Sequence, residues 1–112
     1  MLNLKDYTEI KELNNEHTNI VVLIYGEQCV PCEQMKKWLN TIIPDYTSII
    51  FTQMSGVKNR DWCVDNNIRT VPTIKIYNNN LQSVQTFTGF NEKIKTDVKI
   101  ILDNVQKDVE NV

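Results

Sequence analysis

The chain has 112 residues, of which 41% are hydrophobic and 23% are charged, with 12 Lys and Arg residues against 14 Asp and Glu residues. This length favours one domain over residues 1–112, and the apolar fraction argues against wholesale disorder. The net charge of −2 excludes a generally basic surface for nucleic acid, and the longest apolar run, residues 20–25, is too short for a membrane span of roughly 20 residues.

The N-terminal segment is predicted to form a short strand and a helix. Leu2 and Leu4 indicate the strand. Asp6 is the predicted N-cap of the helix, with Glu9 three residues later as in a capping box. This helix is predicted to end near Asn14-Asn15, and its apolar stripe consists of Tyr7, Ile10 and Leu13.

A buried central strand and a long amphipathic helix are predicted next. Residues 20–25 are continuously apolar and rich in β-branched side chains, as in a strand that is buried on both faces. Gly26 ends this run, and Pro31 suits the first turn of the following helix because its missing N–H costs nothing there. The helix is predicted to stop near Pro44, and its apolar face consists of Met35, Trp38, Leu39, Ile42 and Ile43.

The second half of the chain contains three further strands and two helices by prediction. Residues 49–54 indicate a strand, and residues 59–66 indicate a short helix. Thr73–Tyr77 and Ser83–Thr88 indicate a hairpin around the turn Asn78-Asn79-Asn80. The order β-α-β-α-β-α-β-β-α therefore predicts an α/β fold with a central mixed sheet and helices on both faces. The apolar face of the last helix consists of Ile94, Val98, Ile101, Leu102 and Val105.

The motif Cys29-Val30-Pro31-Cys32, at the predicted start of the second helix, indicates redox chemistry. Backbone N–H groups and the helix dipole at this end favour the thiolate of Cys29, which is the form that attacks disulfides. Cys32 lies one turn inside the helix, close enough to attack a mixed disulfide on Cys29. Half of a zinc site is the alternative, but it needs two more ligands, and Cys63 and His17 are far apart in sequence. We therefore expect no metal.

This motif, Val71-Pro72-Thr73 and Gly89 before the last helix together resemble the thioredoxin family. The resemblance covers nearly the whole chain. It implies the thioredoxin fold and a thiol–disulfide oxidoreductase that needs no cofactor besides the redox-active disulfide Cys29–Cys32. It further implies that Cys29 is the nucleophile, that Cys32 resolves the mixed disulfide, and that Pro72 is in cis and faces the cysteines. The substrate-binding residues that it implies are Pro31, Thr70, Val71 and Pro72.

Three positions depart from the family pattern. Gln28 replaces the family's Trp before the first cysteine, Leu23 replaces its buried aspartate, and Gln53 replaces the lysine that usually faces this aspartate. The acid–base pair that helps to deprotonate the resolving thiol is therefore missing. Glu27 or Glu33 could substitute for it, although charged residues beside a helix start are usually solvated.

The expected function is the reduction of protein disulfides by a monomer in the cytoplasm, with a thioredoxin-reductase-type electron donor. Neither nucleic acid nor membrane is an expected partner, and the N-terminus lacks the layout of a signal sequence. One alternative is a glutaredoxin-like reductase that uses glutathione, because Thr70-Val71-Pro72 also resembles the T-V-P of glutaredoxins. Another is a binding subunit with incidental redox activity, which the loss of the buried aspartate favours.

Two residues near the motifs have open interpretations. Cys63 fits a small buried hydrophobe better than a redox or dimerising thiol. Trp62 fits the core and the rim of the redox site equally well. The absence of alanine and the abundance of Asn, Ile and Lys favour an A/T-rich genome, such as that of a phage or a low-GC bacterium.

Overall fold

One mixed sheet organises the computed structural model, which describes residues 1–14 and 18–110, with only the backbone described for residues 108–110. In space, the strands follow the order first, third, second, fourth, fifth, so the predicted central mixed sheet is confirmed. The third strand is parallel to the first and second strands, and the fourth is antiparallel to the second and fifth. In chain order they are β1 (Leu2–Asn3), β2 (Asn19–Tyr25), β3 (Ile49–Ser55), β4 (Thr73–Tyr77) and β5 (Ser83–Thr88).

Four helices of the described chain cover the two faces of this sheet. They are α1 (Thr8–Asn14), α2 (Val30–Ile42), α3 (Arg60–Asp65) and α4 (Glu92–Glu110). The apolar stripes of α2 and α4 are buried on one face, and those of α1 and α3 on the other. The predicted helices on both faces are therefore confirmed.

β2 is the central strand because its side chains are apolar towards both faces. None of residues 20–24 is accessible to solvent, and successive side chains alternate between the two cores. Ile24, near the end of β2, pairs with Thr73 at the beginning of β4. The segment after Tyr25 and the segment before Thr73 therefore lie at the same edge of the sheet. The first of these segments leads to the cysteine pair.

The N-terminal cap of α1 differs from the predicted capping box. The side chain of Asp6 accepts a hydrogen bond from the Thr8 N–H at 2.9 Å and another from the Thr8 hydroxyl. These bonds lower the pKa of Asp6, the one from the Thr8 hydroxyl most. Glu9 Oε1 accepts from the Lys5 N–H at 3.1 Å, so it does not return to the predicted cap residue. Asn15 and His17 lie outside the described residues.

The end of α2 also differs from the simple stop predicted at Pro44. The α-helix ends at Ile42, and the chain tightens into a 3-10 turn over Ile43–Asp45. Pro44 lies in the first turn of that segment, where a missing N–H is tolerated. No helix in the described part of the chain is long and apolar enough to cross a lipid bilayer.

Candidate active site

Cys29 is the N-cap of α2, and its sulfur lies among the free N–H groups of the first helical turn. The Cys32 N–H donates to Cys29 Sγ at 3.2 Å, and the Glu33 N–H donates to the Cys29 carbonyl at 3.2 Å. Cys29 and Cys32 form a disulfide with their Cα atoms 5.2 Å apart. Pro31 lies in the first turn, as predicted. The helix start thus offers a polarised environment to a negatively charged Cys29 sulfur.

The two cysteines differ in their access to solvent. Cys29 is partly exposed, whereas Cys32 is fully buried. Pro31 and Val30, which separate them, are both exposed, and Val30 retains 68% of its accessible surface. A partner disulfide can therefore approach Cys29 more easily than Cys32.

Two of the three positions that depart from the family pattern, Leu23 and Gln53, lie in the sheet, and neither side chain is charged. Leu23 is fully buried and pairs directly with Gln53 in the neighbouring strand β3. Gln53 Nε2 donates to Asn3 Oδ1 at 2.6 Å, while Gln53 Oε1 is buried and has no hydrogen-bond partner among the described residues. The exposed Glu33 carboxylate lies 3.6 Å from Lys36 Nζ, at the solvent side of α2.

The segment before β4 is held in place by two hydrogen bonds. The Val71–Pro72 peptide bond is cis, which confirms the expectation from the family resemblance. The Gly89 N–H donates to the Pro72 carbonyl at 2.8 Å, and the Thr73 hydroxyl donates to the Thr70 carbonyl at 2.7 Å. Gly89 has a φ of +89°, a conformation that favours glycine. The end of β5 thus fixes the proline segment.

The proline segment touches the segment that leads to the cysteines. A Cβ atom placed on Gly26 would lie 2.7 Å from Cγ2 of Val71, so only glycine allows this approach. Thr70 and Val71 are exposed, and no hydrogen bond to the backbone of Val71 is found within the described residues. The backbone N–H and carbonyl of Val71 therefore lie beside the cysteine segment without a hydrogen-bond partner in the described chain.

The remaining candidates lie away from the cysteines or inside the protein. Cys63 is a buried free thiol whose pKa is raised by burial. Trp62 stacks on Tyr7 with the ring centroids 6.1 Å apart, and it packs against the core between α1, α3 and the sheet. Trp38 is partly buried and contacts Phe90. Among the described side chains of residues 1–14 and 18–107, no group of three or more His, Cys, Asp or Glu could hold a metal ion.

Sequence reasoning missed a cavity of about 280 Å³ beside Val71. Both arginines of the chain, Arg60 and Arg69, line it. The only signals in the sequence were that Arg69 lies just before the Val-Pro segment and that Arg60 lies in the short helix predicted over residues 59–66. Nothing in their spacing indicated that the two side chains line one cavity.

Comparisons with known proteins agree with this architecture. Residues 2–101 match a family model described as Thioredoxin. The thioredoxin of Ophiophagus hannah is 27% identical over 97 residues, which cover 84% of this chain and 91% of that protein. Thioredoxin 1 of Plasmodium falciparum is 25% identical over 84 residues, which cover 75% and 80% of the two chains. The X-ray structure of Fasciola hepatica thioredoxin has the same fold, with a TM-score of 0.80 at 20% identity over 94% of this chain and 99% of that chain.

Proposed function

Because this chain belongs to the thioredoxin family, we propose that it is a dithiol reductant of protein disulfides, with Cys29 as the nucleophile and Cys32 as the resolving thiol. The family, the fold and the class of thiol–disulfide oxidoreductase agree with the sequence-based predictions. The observation on which the proposal depends is the Cys29–Cys32 disulfide, with the more exposed sulfur as the helix N-cap.

The reaction has two sulfur-exchange steps. The Cys29 thiolate attacks one sulfur of the substrate disulfide, which forms a mixed disulfide and releases the first substrate thiolate. The Cys32 thiolate then attacks Cys29 Sγ, which closes the Cys29–Cys32 disulfide and releases the second substrate thiolate. Two electrons pass to the substrate, and its two thiolates take up protons from water. The cysteine pair supplies all of this chemistry, so the proposal includes no metal or organic cofactor.

The substrate is proposed to bind along the proline segment. Val71 presents its backbone N–H and carbonyl, and an extended peptide can pair with them as an added strand. In this proposal Thr70 and Pro31 form the neighbouring surface, whereas the side chain of Pro72 is buried. Backbone pairing recognises no side chain, so it gives affinity without selecting a particular sequence.

Regeneration of the dithiol needs an electron donor. Members of this family act on disulfide substrates and are reduced by a thioredoxin reductase. We propose the same class of donor for this chain. We further propose that it acts as a monomer in the cytoplasm, where the cysteine pair can be kept reduced between turnovers.

A sharp test uses insulin reduction with dithiothreitol as the electron donor. The wild-type chain should accelerate the reduction, and Cys29→Ser should abolish the acceleration. Cys32→Ser should retain the first step and accumulate a covalent mixed disulfide with insulin on Cys29, detectable by mass spectrometry. Accumulation on Cys32 in Cys29→Ser instead, or full activity in that variant, would contradict the assigned roles.

Retention of activity also decides between the reductant and a binding subunit. The binding subunit is the second candidate because the family's buried acid is replaced by Leu23. A wild-type chain that does not accelerate insulin reduction, although iodoacetamide labels Cys29 readily at neutral pH, would favour the binding role.

A further inference from the structure

Both arginines of this chain line the cavity beside the proline segment, which we name the arginine pocket. Arg60 comes from the beginning of α3, and Arg69 lies three residues before Pro72. The pocket occupies about 280 Å³ and also contacts Gly26 and Val71, the two residues at which the cysteine and proline segments meet. It therefore lies directly beside the backbone to which the substrate is proposed to pair.

The charge of the arginine pocket is not neutralised by the protein. Arg60 and Arg69 are both exposed. The ion pairs found in the described part of the chain all use lysine side chains, and neither guanidinium has a hydrogen-bond partner there. Two arginines with free donors among the lining residues of one cavity match a carboxylate, which a guanidinium can bind through two parallel N–H groups.

Apart from the arginines, Thr70 and Tyr25, the lining of the pocket is largely apolar. Val57, Val64 and Val71 line it, and all three are exposed valines, with 51%, 69% and 37% of their surface accessible. Exposed valines beside two arginines suit a side chain with methylene groups below a carboxylate. A glutamate side chain has this chemistry, since its methylenes can contact the valines while its carboxylate reaches the guanidinium groups.

We propose that the arginine pocket selects substrates with an acidic residue, glutamate above all, one or two positions from the reactive cysteine. This inference rests on the proposed function, because it needs a substrate strand paired to Val71. In an extended strand, side chains two residues apart lie about 7 Å from each other on the same face. A substrate strand paired to Val71 can therefore direct a side chain close to its cysteine towards the pocket that Val71 lines. Selectivity then comes from Arg60 and Arg69, whereas affinity comes from the backbone of Val71.

The test compares matched peptides that release a fluorescent thiol when their disulfide is reduced. The peptides carry Glu or Gln at one and at two positions from the cysteine, and dithiothreitol supplies electrons. For the wild type at low salt, kcat/KM should be on the order of fivefold higher for the better Glu peptide than for its Gln counterpart, since exposed ion pairs are individually weak. The preference should shrink at about 0.5 M salt because screening weakens it.

Substitutions of the two arginines test whether the preference for the Glu peptide depends on the arginine pocket. Arg60→Gln with Arg69→Gln should bring the Glu-to-Gln ratio close to one, with an unchanged circular dichroism spectrum. The matched control is Lys58→Gln, which removes a positive charge from the same exposed region without changing the lining of the pocket. It should keep the wild-type ratio. Loss of the preference in Lys58→Gln to the same degree would overturn the inference in favour of a general charge effect.

Two further outcomes separate the inference from the proposed function. If the wild type reduces the Glu and Gln peptides equally well, the arginine pocket has no role in selection, but the reductant function stands. If it reduces neither peptide, the proposed function itself fails. A mixed disulfide between the Gln peptide and glutathione tests whether the pocket binds the carboxylates of glutathione instead of a protein side chain. If the arginine substitutions slow only the reduction of that adduct, the pocket recognises glutathione and the inference about protein side chains is wrong.

Discussion

In the proposed mechanism, we expect Leu23 to limit the resolving step. This fully buried side chain pairs with Gln53, so the two positions at which the family has an aspartate and a lysine are neighbours here, but neither can ionise. An anion on the buried Cys32 is disfavoured by apolar surroundings, and no buried carboxylate at this position can take its proton. The first step, at the more exposed Cys29, does not depend on this site.

Leu23→Asp should therefore accelerate resolution. We expect the mixed disulfide on Cys29 to decay about tenfold faster at pH 7, because a carboxylate can accept the proton of Cys32. The wild-type rate should rise with pH. The buried polar group should lower the free energy of unfolding by about 1–3 kcal/mol. Stopped-flow measurements of the decay across pH check this expectation.

Leu23→Asn is the matched control. It places a polar group of the same shape at the same buried site, but an amide cannot take up the proton. Its stability should fall as in Leu23→Asp, without faster decay. Equal decay rates at pH 7 in the wild type and Leu23→Asp would show that water or another residue already accepts the proton.

Gly26 allows the cysteine segment to lie close to the proline segment, because it has no side chain between its backbone and Val71. Gly26→Ala should displace Val71, because the new Cβ would lie 2.7 Å from Cγ2 of that valine. We expect a loss of about 1–3 kcal/mol of stability in urea unfolding, as for overpacking elsewhere. The double variant Gly26→Ala/Val71→Ala should be about 1 kcal/mol more stable than the sum of the two single effects predicts, because the smaller alanine removes the steric conflict. A strictly additive double variant would contradict the contact.

At the scale of secondary-structure elements, β4 contains an unusual buried charge. Lys75 has 7% of its surface exposed, and its Nζ reaches the Thr86 hydroxyl at 3.3 Å. Tyr77 lies beside it, with the ring centroid 5.8 Å from Nζ. Burial lowers the pKa of Lys75 from its ordinary value of 10.5. Burial therefore disfavours the charged form of the amine in the folded protein.

Lys75→Met should stabilise the protein by about 1 kcal/mol at pH 7, since methionine fills the same volume without a charge. Between the lowered pKa and 10.5, the unfolded chain binds more protons than the folded chain, so the stability of the wild type rises with pH in this range. The difference in stability between Lys75→Met and the wild type should therefore decrease as the pH rises. Urea unfolding at several pH values measures this difference. Lys99→Met, on the exposed face of α4, serves as the control and should show no such trend.

Several elements could be predicted from the sequence, and the reasons are local. Thr73–Tyr77 and Ser83–Thr88 have the predicted bounds because Pro72, the run of asparagines and Gly89 interrupt extended structure on either side. The Asp6 cap of α1 was predicted correctly, but the partner of Glu9 was not, because it depends on side-chain geometry at a single hydrogen bond. The 3-10 turn after α2 could not be predicted, because it depends on one backbone hydrogen bond from the Tyr46 N–H to the Ile43 carbonyl. The arginine pocket was equally inaccessible, since its walls come from several separate segments that meet only once the strand order is known.

At the scale of the whole molecule, one sheet with two cores suggests one cooperative unit. Trp38 packs against the core under α2 and α4, and Trp62 packs against the core under α1 and α3. Trp38→Phe and Trp62→Phe each leave one fluorescent reporter, on opposite faces of the sheet. In both variants, urea unfolding followed by fluorescence should coincide with unfolding followed by circular dichroism. A fluorescence transition that precedes the loss of helix in either variant would indicate separately unfolding parts.

The strand order also has a consequence for biosynthesis. Val21, in the central strand, pairs with Phe51 on one side and with Ile76 on the other. Both partner strands of β2 are therefore far from it in the sequence. A ribosome that has released only the first half of the chain exposes an apolar β2 without its second neighbour. We therefore expect stable folding only after β4 has left the exit tunnel, and β2 is exposed to aggregation until then.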